Sequence, residues 1–94
     1  MEIAVEKSDE NYLELRILGE DHTLGNLIAG RLRSVQGVTL ATYYLPHPLK
    51  DEIILKIRTD GTISPRDALV RAIDEVKSLG ESFLQDLEHV QEGS

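Results

Sequence analysis

Apolar and polar residues alternate in the first stretch of the chain. Ile3 and Val5 stand between Glu2, Ala4 and Glu6, and Leu13, Leu15 and Ile17 alternate with Glu14 and Arg16. A period of two sends one set of side chains to each face of an extended segment, so both runs predict half-buried strands. Ser8, Asp9, Glu10 and Asn11 lie between them and predict the turn of a hairpin. After Gly19 the spacing lengthens: Leu24, Leu27, Ile28, Leu32 and Val35 recur every three or four residues, which predicts a short helix with one apolar face. Asp21 or Thr23 can cap its start, and Gly37 is placed to end it. Residues 38–45 are β-branched and aromatic, and Ile53, Leu55 and Ile57 alternate with Ile54, Lys56 and Arg58, so two more strands follow. Pro46, His47 and Pro48 break the chain between them. Asp60 and Gly61 then form a turn, Ser64 serves as N-cap, Pro65 fits the first helical position, and Asp67 is spaced to reach back to the cap.

The order ββαββα predicts an α+β fold, a two-layer α/β sandwich with an antiparallel sheet and both helices on one face. The last helix carries an unusually long seam. Leu69, Ile73, Val76, Gly80, Phe83, Leu87 and Val90 step by four and three, and Ala72, Leu79 and Leu84 widen the stripe. A helix over 64–90 would run roughly 40 Å, whereas strands of seven residues span about 23 Å. The expectation is therefore that Phe83, Leu84, Leu87 and Val90 overhang the sheet, and leaving four such side chains wet would forgo on the order of 6–10 kcal/mol of burial. Gly80 adds to this expectation, because glycine inside a helix costs about 1 kcal/mol against alanine and a close approach by another helix would account for it. A partner is implied. Leu69, Ile73, Val76, Gly80, Phe83, Leu84, Leu87 and Val90 are its candidate contacts.

Composition narrows the function. Ninety-four residues without an internal repeat allow one domain, 1–94, with 91–94 expected to fray. A core this small leaves a chain marginal by itself. Seventeen acidic against ten basic residues give a net charge of −7, a field that repels phosphate backbones, so direct nucleic-acid binding is not expected. The chain has no cysteine, which excludes disulfides, thiolate metal sites and thiol nucleophiles. No apolar run is long enough to cross a membrane, and the expected location is the cytoplasm. His22, His47 and His89 are scattered, without the spacing of metal ligands. Gly25, Gly30 and Gly37 make no phosphate loop, and Gly25 is expected to admit a neighbouring backbone. His22 is read as fixing its loop, and Arg31 and Arg33 as reaching a partner carboxylate. No cofactor or metal is expected.

The stretch Glu20-Asp21-His22-Thr23-Leu24-Gly25-Asn26-Leu27-Ile28 resembles the signature at the first helix of the archaeal DNA-directed RNA polymerase L subunits and the eleventh subunit of eukaryotic RNA polymerase II. Its core, Thr23 to Asn26, is also similar to the helix start in the N-terminal domain of the bacterial polymerase alpha subunit. There the bacterial chains continue with Leu-Arg-Arg, whereas this one has Leu27-Ile28-Ala29-Gly30, closer to the archaeal and eukaryotic form. Tyr44-Leu45-Pro46-His47-Pro48-Leu49 resembles the family's loop before its fourth strand, and Thr59-Asp60-Gly61 with Pro65 and Ala68 resembles the entry to its final helix. The resemblance implies a non-catalytic chain that forms a heterodimer, through shared helices, with the polymerase's larger D subunit, the archaeal counterpart of the eukaryotic third subunit. With the small N and P subunits, that pair is the platform on which the large catalytic subunits assemble.

Two other classes fit the pattern less well. A small enzyme similar to pterin-carbinolamine dehydratase would need histidines converging on a concave pocket. A homodimeric ligand-binding regulator would need a self-associating face that responds to a ligand.

Overall fold

The computed structural model describes residues 2–75 and 85–87. Their elements run β1 (Glu2–Ser8), β2 (Tyr12–Leu18), α1 (His22–Arg33), β3 (Val38–Tyr44), β4 (Glu52–Thr59) and α2 (Pro65–Asp74). The four strands form one antiparallel sheet in the order β1-β2-β4-β3, so the most apolar pair takes the centre. Leu13 lies opposite Ile57, Leu15 opposite Leu55 and Ile17 opposite Ile53. Successive side chains alternate faces, so this register gathers all six on one side, where each is buried. Ile3 on β1 and Ala41 on β3 extend the same face.

Both helices cover that face. From α1, Leu24, Ile28 and Leu32 enter the core, and from α2, Ala68, Leu69, Ala72 and Ile73, all in one cluster with the strand residues. The expected α+β class, two-layer sandwich and element order are therefore present. The Asp21 side chain caps α1 by accepting from the Thr23 N–H at 3.0 Å, and Ser64 caps α2 by accepting from the Asp67 N–H at 3.1 Å. Pro65 sits at the first helical position, where its missing N–H costs nothing.

Two expectations change and one is described only in part. First, α1 closes at Arg33, before Gly37. Ser34 ends it, its N–H directed to the carbonyls of Arg31 and Leu32 and its hydroxyl donating to the Arg31 carbonyl at 3.1 Å. Gly37, at φ +99°, instead makes the turn into β3, where its carbonyl accepts from the Asp60 N–H at 2.9 Å. A Cβ there would lie 2.6 Å from the Thr62 hydroxyl oxygen. Asp60 in turn accepts from the Thr62 hydroxyl and N–H, bonds that hold its carboxyl below the usual range.

Second, the C-terminal helix expected over 64–90 is described only as far as Asp74 and again as helix at 85–87, and the rest of it lies outside the described residues. The described part of α2 has ten residues, about 15 Å, and Glu75 closes it with its N–H toward the Ala72 and Ile73 carbonyls. Third, Leu87 is not on an overhang. A straight helix would carry it about 20 Å past Asp74, yet its side chain is 2% exposed and belongs to the core.

The other sheet face has no helix among the described residues. Its polar residues pair with one another: Arg16 with Glu6, the Tyr12 hydroxyl with Glu14 at 2.7 Å, the Lys56 ammonium 5.1 Å above the Tyr44 ring, and the Arg58 guanidinium 4.8 Å above the Tyr12 ring. Burial and the bond to Glu14 push the Tyr12 phenol up to about 12. Ile54, flanked in register by Arg16 and Tyr44, is 2% exposed on this side.

Leu55 pairs with both Leu15 and Tyr43 and is fully buried at the centre of the sheet. Leu55→Ala is expected to lower the unfolding free energy by about 2–5 kcal/mol, read from the urea midpoint at unchanged slope.

Candidate partner interface

The two motif stretches are far apart in the chain and meet in space. Asp21 turns the backbone into α1, its carbonyl accepting from the Gly25 N–H at 3.2 Å, and this sets His22 at the mouth of the helix. His22 Nδ1 and the Tyr43 hydroxyl are hydrogen-bonded at 3.1 Å, and the two rings meet edge to face with centroids 5.8 Å apart. Tyr43 then passes under α1 at Gly25. A Cβ on Gly25 would sit 2.6 Å from Tyr43 Cδ2, so only glycine lets the helix lie this close to β3. The expected neighbouring backbone is thus replaced by an aromatic side chain. His22 fixes β3 to the helix start, as a loop-fixing role implies.

Leu24 is buried in the core, whereas Thr23 and Asn26 are exposed on the surface of α1. His22, Tyr43, Tyr44, Leu45 and Pro48 line an open cleft of about 590 Å³. Pro46 and His47 belong to the loop beside it. The Lys50 N–H closes the loop on the His47 carbonyl at 3.0 Å, and His47 Nε2 stands 4.0 Å from Glu52 Oε2. Glu52 is nearly enclosed, with Oε2 lacking a hydrogen-bond partner. Leu49, by contrast, is fully exposed.

The cleft holds one histidine, already engaged by Tyr43, and not the convergent pair that a dehydratase-like site would need. No group of three His, Asp or Glu among the described residues is arranged to hold a metal ion. No helix among them is long and apolar enough to cross a membrane.

On the seam, Leu69 and Ile73 are fully buried and Leu87 nearly so, all three within the core of the chain. Val76, Gly80, Phe83, Leu84 and Val90 lie outside the described residues, as does His89. The arginines of α1 are also engaged within the chain: Arg31 with Glu75 at 4.0 Å, and Arg33 Nε donating to the Ala41 carbonyl at 3.1 Å.

Leu27, expected to meet the sheet, is 38% exposed. The buried face of α1 is Leu24, Gly25, Ile28, Ala29 and Leu32. At 100° per residue, Leu27 lies about 130° from the middle of that arc. Counting the small residues Gly25 and Ala29 as buried would have shown this from the sequence.

What the fold defines is a two-layer sandwich whose distinctive motif residues, among those described, build packing and surface. Comparison with known proteins gives that class its family. Residues 12–86 match the RNA polymerase Rpb3/Rpb11 dimerisation domain, and the chain belongs to that family. It is 80% identical over 90 residues to DNA-directed RNA polymerase subunit Rpo11 of Metallosphaera sedula, covering 96% of this chain and all of the relative. It is 58% identical over 87 residues to Rpo11 of Saccharolobus shibatae, covering 93% of this chain and 95% of that one. The crystal structure of DNA-directed RNA polymerase subunit L from Thermoplasma acidophilum has the same fold, with a TM-score of 0.70 at 22% identity over 92% of this chain and 84% of that one.

Gly25→Ala is expected to force α1 away from Tyr43 and to destabilise the chain by about 1–3 kcal/mol. Adding Tyr43→Leu should recover part of that loss in thermal melts, because the ring that creates the clash is gone. Equal melts for Gly25→Ala and the parent would show that the close approach is not needed.

Proposed function

We propose that the chain is a non-catalytic subunit of an archaeal DNA-directed RNA polymerase that forms a heterodimer with the polymerase's D subunit. With the N and P subunits, this pair is the platform on which the large catalytic subunits assemble, in the cytoplasm. The observation that carries the reading is the match of residues 12–86 to a domain named for dimerisation, joined to near end-to-end similarity with Rpo11 subunits. Catalysis in this reading belongs to other chains.

The physical case for a partner now rests on different residues. Leu87 serves the core, so the shared helical interface draws on α1 at Leu27 and on the seam residues Val76, Gly80, Phe83, Leu84 and Val90. Leu27 is a large apolar side chain on the outer flank of a helix whose inner flank is filled, and a partner helix laid along it would cover it. An interface of this kind concentrates its energy in a few such anchors.

Co-expression with the D subunit is expected to yield a stable one-to-one complex. Leu27→Asp should leave the far-ultraviolet spectrum and melting temperature of the chain nearly unchanged and weaken pairing about ten-fold or more, the effect of losing at least ~1.4 kcal/mol. Phe83→Asp should weaken pairing likewise. Undiminished affinity of both variants in calorimetric titration would remove the helical interface from the reading.

A further inference from the structure

The sheet has two outer strands, β1 and β3, and they are protected against further pairing in different ways. An outer strand presents unpaired N–H and C=O groups, a template for another strand unless charge, proline or a bulge blocks it. β1, Glu2–Ser8, carries Glu2, Glu6 and Lys7 and breaks register between Val5 and Lys7. β3, Val38–Tyr44, reads VTLATYY: no charge, no proline, no glycine, and β-branched or aromatic at five of seven positions. That is the composition of a segment that pairs with copies of itself. Its own bulge lies at its beginning, between Val38 and Leu40, and leaves residues 40–44 in regular register with β4.

One side chain crosses this uncharged edge. Arg33, the last residue of α1, donates from Nε to the Ala41 carbonyl at 3.1 Å, in the middle of the regular stretch. Arg33 also lines a groove of about 450 Å³ along the edge, with Val38, Thr39, Leu40, Ala41 and Thr42. Thr39 and Leu40 are exposed there, and among the described residues no other strand pairs with this edge. The guanidinium occupies a carbonyl that an incoming strand would need and puts a charge where the strand has none. We infer that Arg33 is a latch on the outer edge of β3, holding it closed to antiparallel pairing with β3 of a second copy of this chain. The occupant is a second copy because the segment is self-complementary: two uncharged heptapeptides meeting about a two-fold axis satisfy each other's edge groups without burying a charge.

The test uses the full chain and two variants. Arg33→Met keeps the aliphatic stem and removes donor and charge; Arg33→Ala removes both without adding apolar length. Whichever is folded by far-ultraviolet circular dichroism is compared with the parent by light scattering and by hydrogen exchange across a hundred-fold concentration range. The latch predicts a mass increase over the parent, with at least ten-fold slower exchange of amides in residues 38–44 at high concentration. Adding Leu40→Lys should reverse both, because pairing brings two lysines to neighbouring positions on adjoining strands. The proposal is overturned if a folded variant keeps the parent's mass. It is equally overturned if association leaves exchange in 38–44 unchanged, if Leu40→Lys fails to reverse it, or if both variants unfold, which would make Arg33 a support of the fold instead.

Discussion

Leu13, Leu15 and Ile17 of β2 lie in register with Ile57, Leu55 and Ile53 of β4, and this double row of branched side chains has to be kept from water on one side only. Most of the architecture answers to that constraint. The two most apolar strands take the centre of the sheet although α1 and β3 separate them in sequence, and the helices that follow β2 and β4 fold back onto the same face. Because both helices compete for one small surface, they touch each other as well as the sheet. Small residues are buried on both helices, Gly25 and Ala29 on α1 and Ala68 and Ala72 on α2.

The signature at the head of α1 gains its meaning from the same constraint. Asp21 starts the helix, Gly25 lets it press onto Tyr43, and His22 ties the Tyr43 hydroxyl to the helix mouth. A motif that in isolation contains an acid, a histidine and a glycine reads equally as a site of chemistry. In space it is a clasp between α1 and β3. A clasp at this point fixes the angle of α1 and so decides which of its residues face outward. Leu27 is among the residues that face outward.

The remaining surface is managed by pairing. On the second sheet face, cations lie over tyrosine rings and a glutamate holds a phenol, and Ile54 is buried beside them. At the β3 edge Arg33 meets the strand backbone. A chain with net charge −7 thus spends several of its ten cations against its own sheet.

Periodicity was enough to determine the order ββαββα, the two-layer class, the start of both helices and the inward rows of β2 and β4, because these follow from short-range stereochemistry and from a face that must be apolar. The resemblance carried by residues 20–28 and 44–49 pointed to the family for the same local reason, since one stretch is a capped helix start and the other the loop between two strands. Only the tertiary structure decided that Gly25 meets a ring, that Arg33 crosses to Ala41, and that Leu87 is shielded inside the chain. Each of these depends on where a second element lies, and helix spacing alone records how side chains are distributed around an axis without saying what stands against each side.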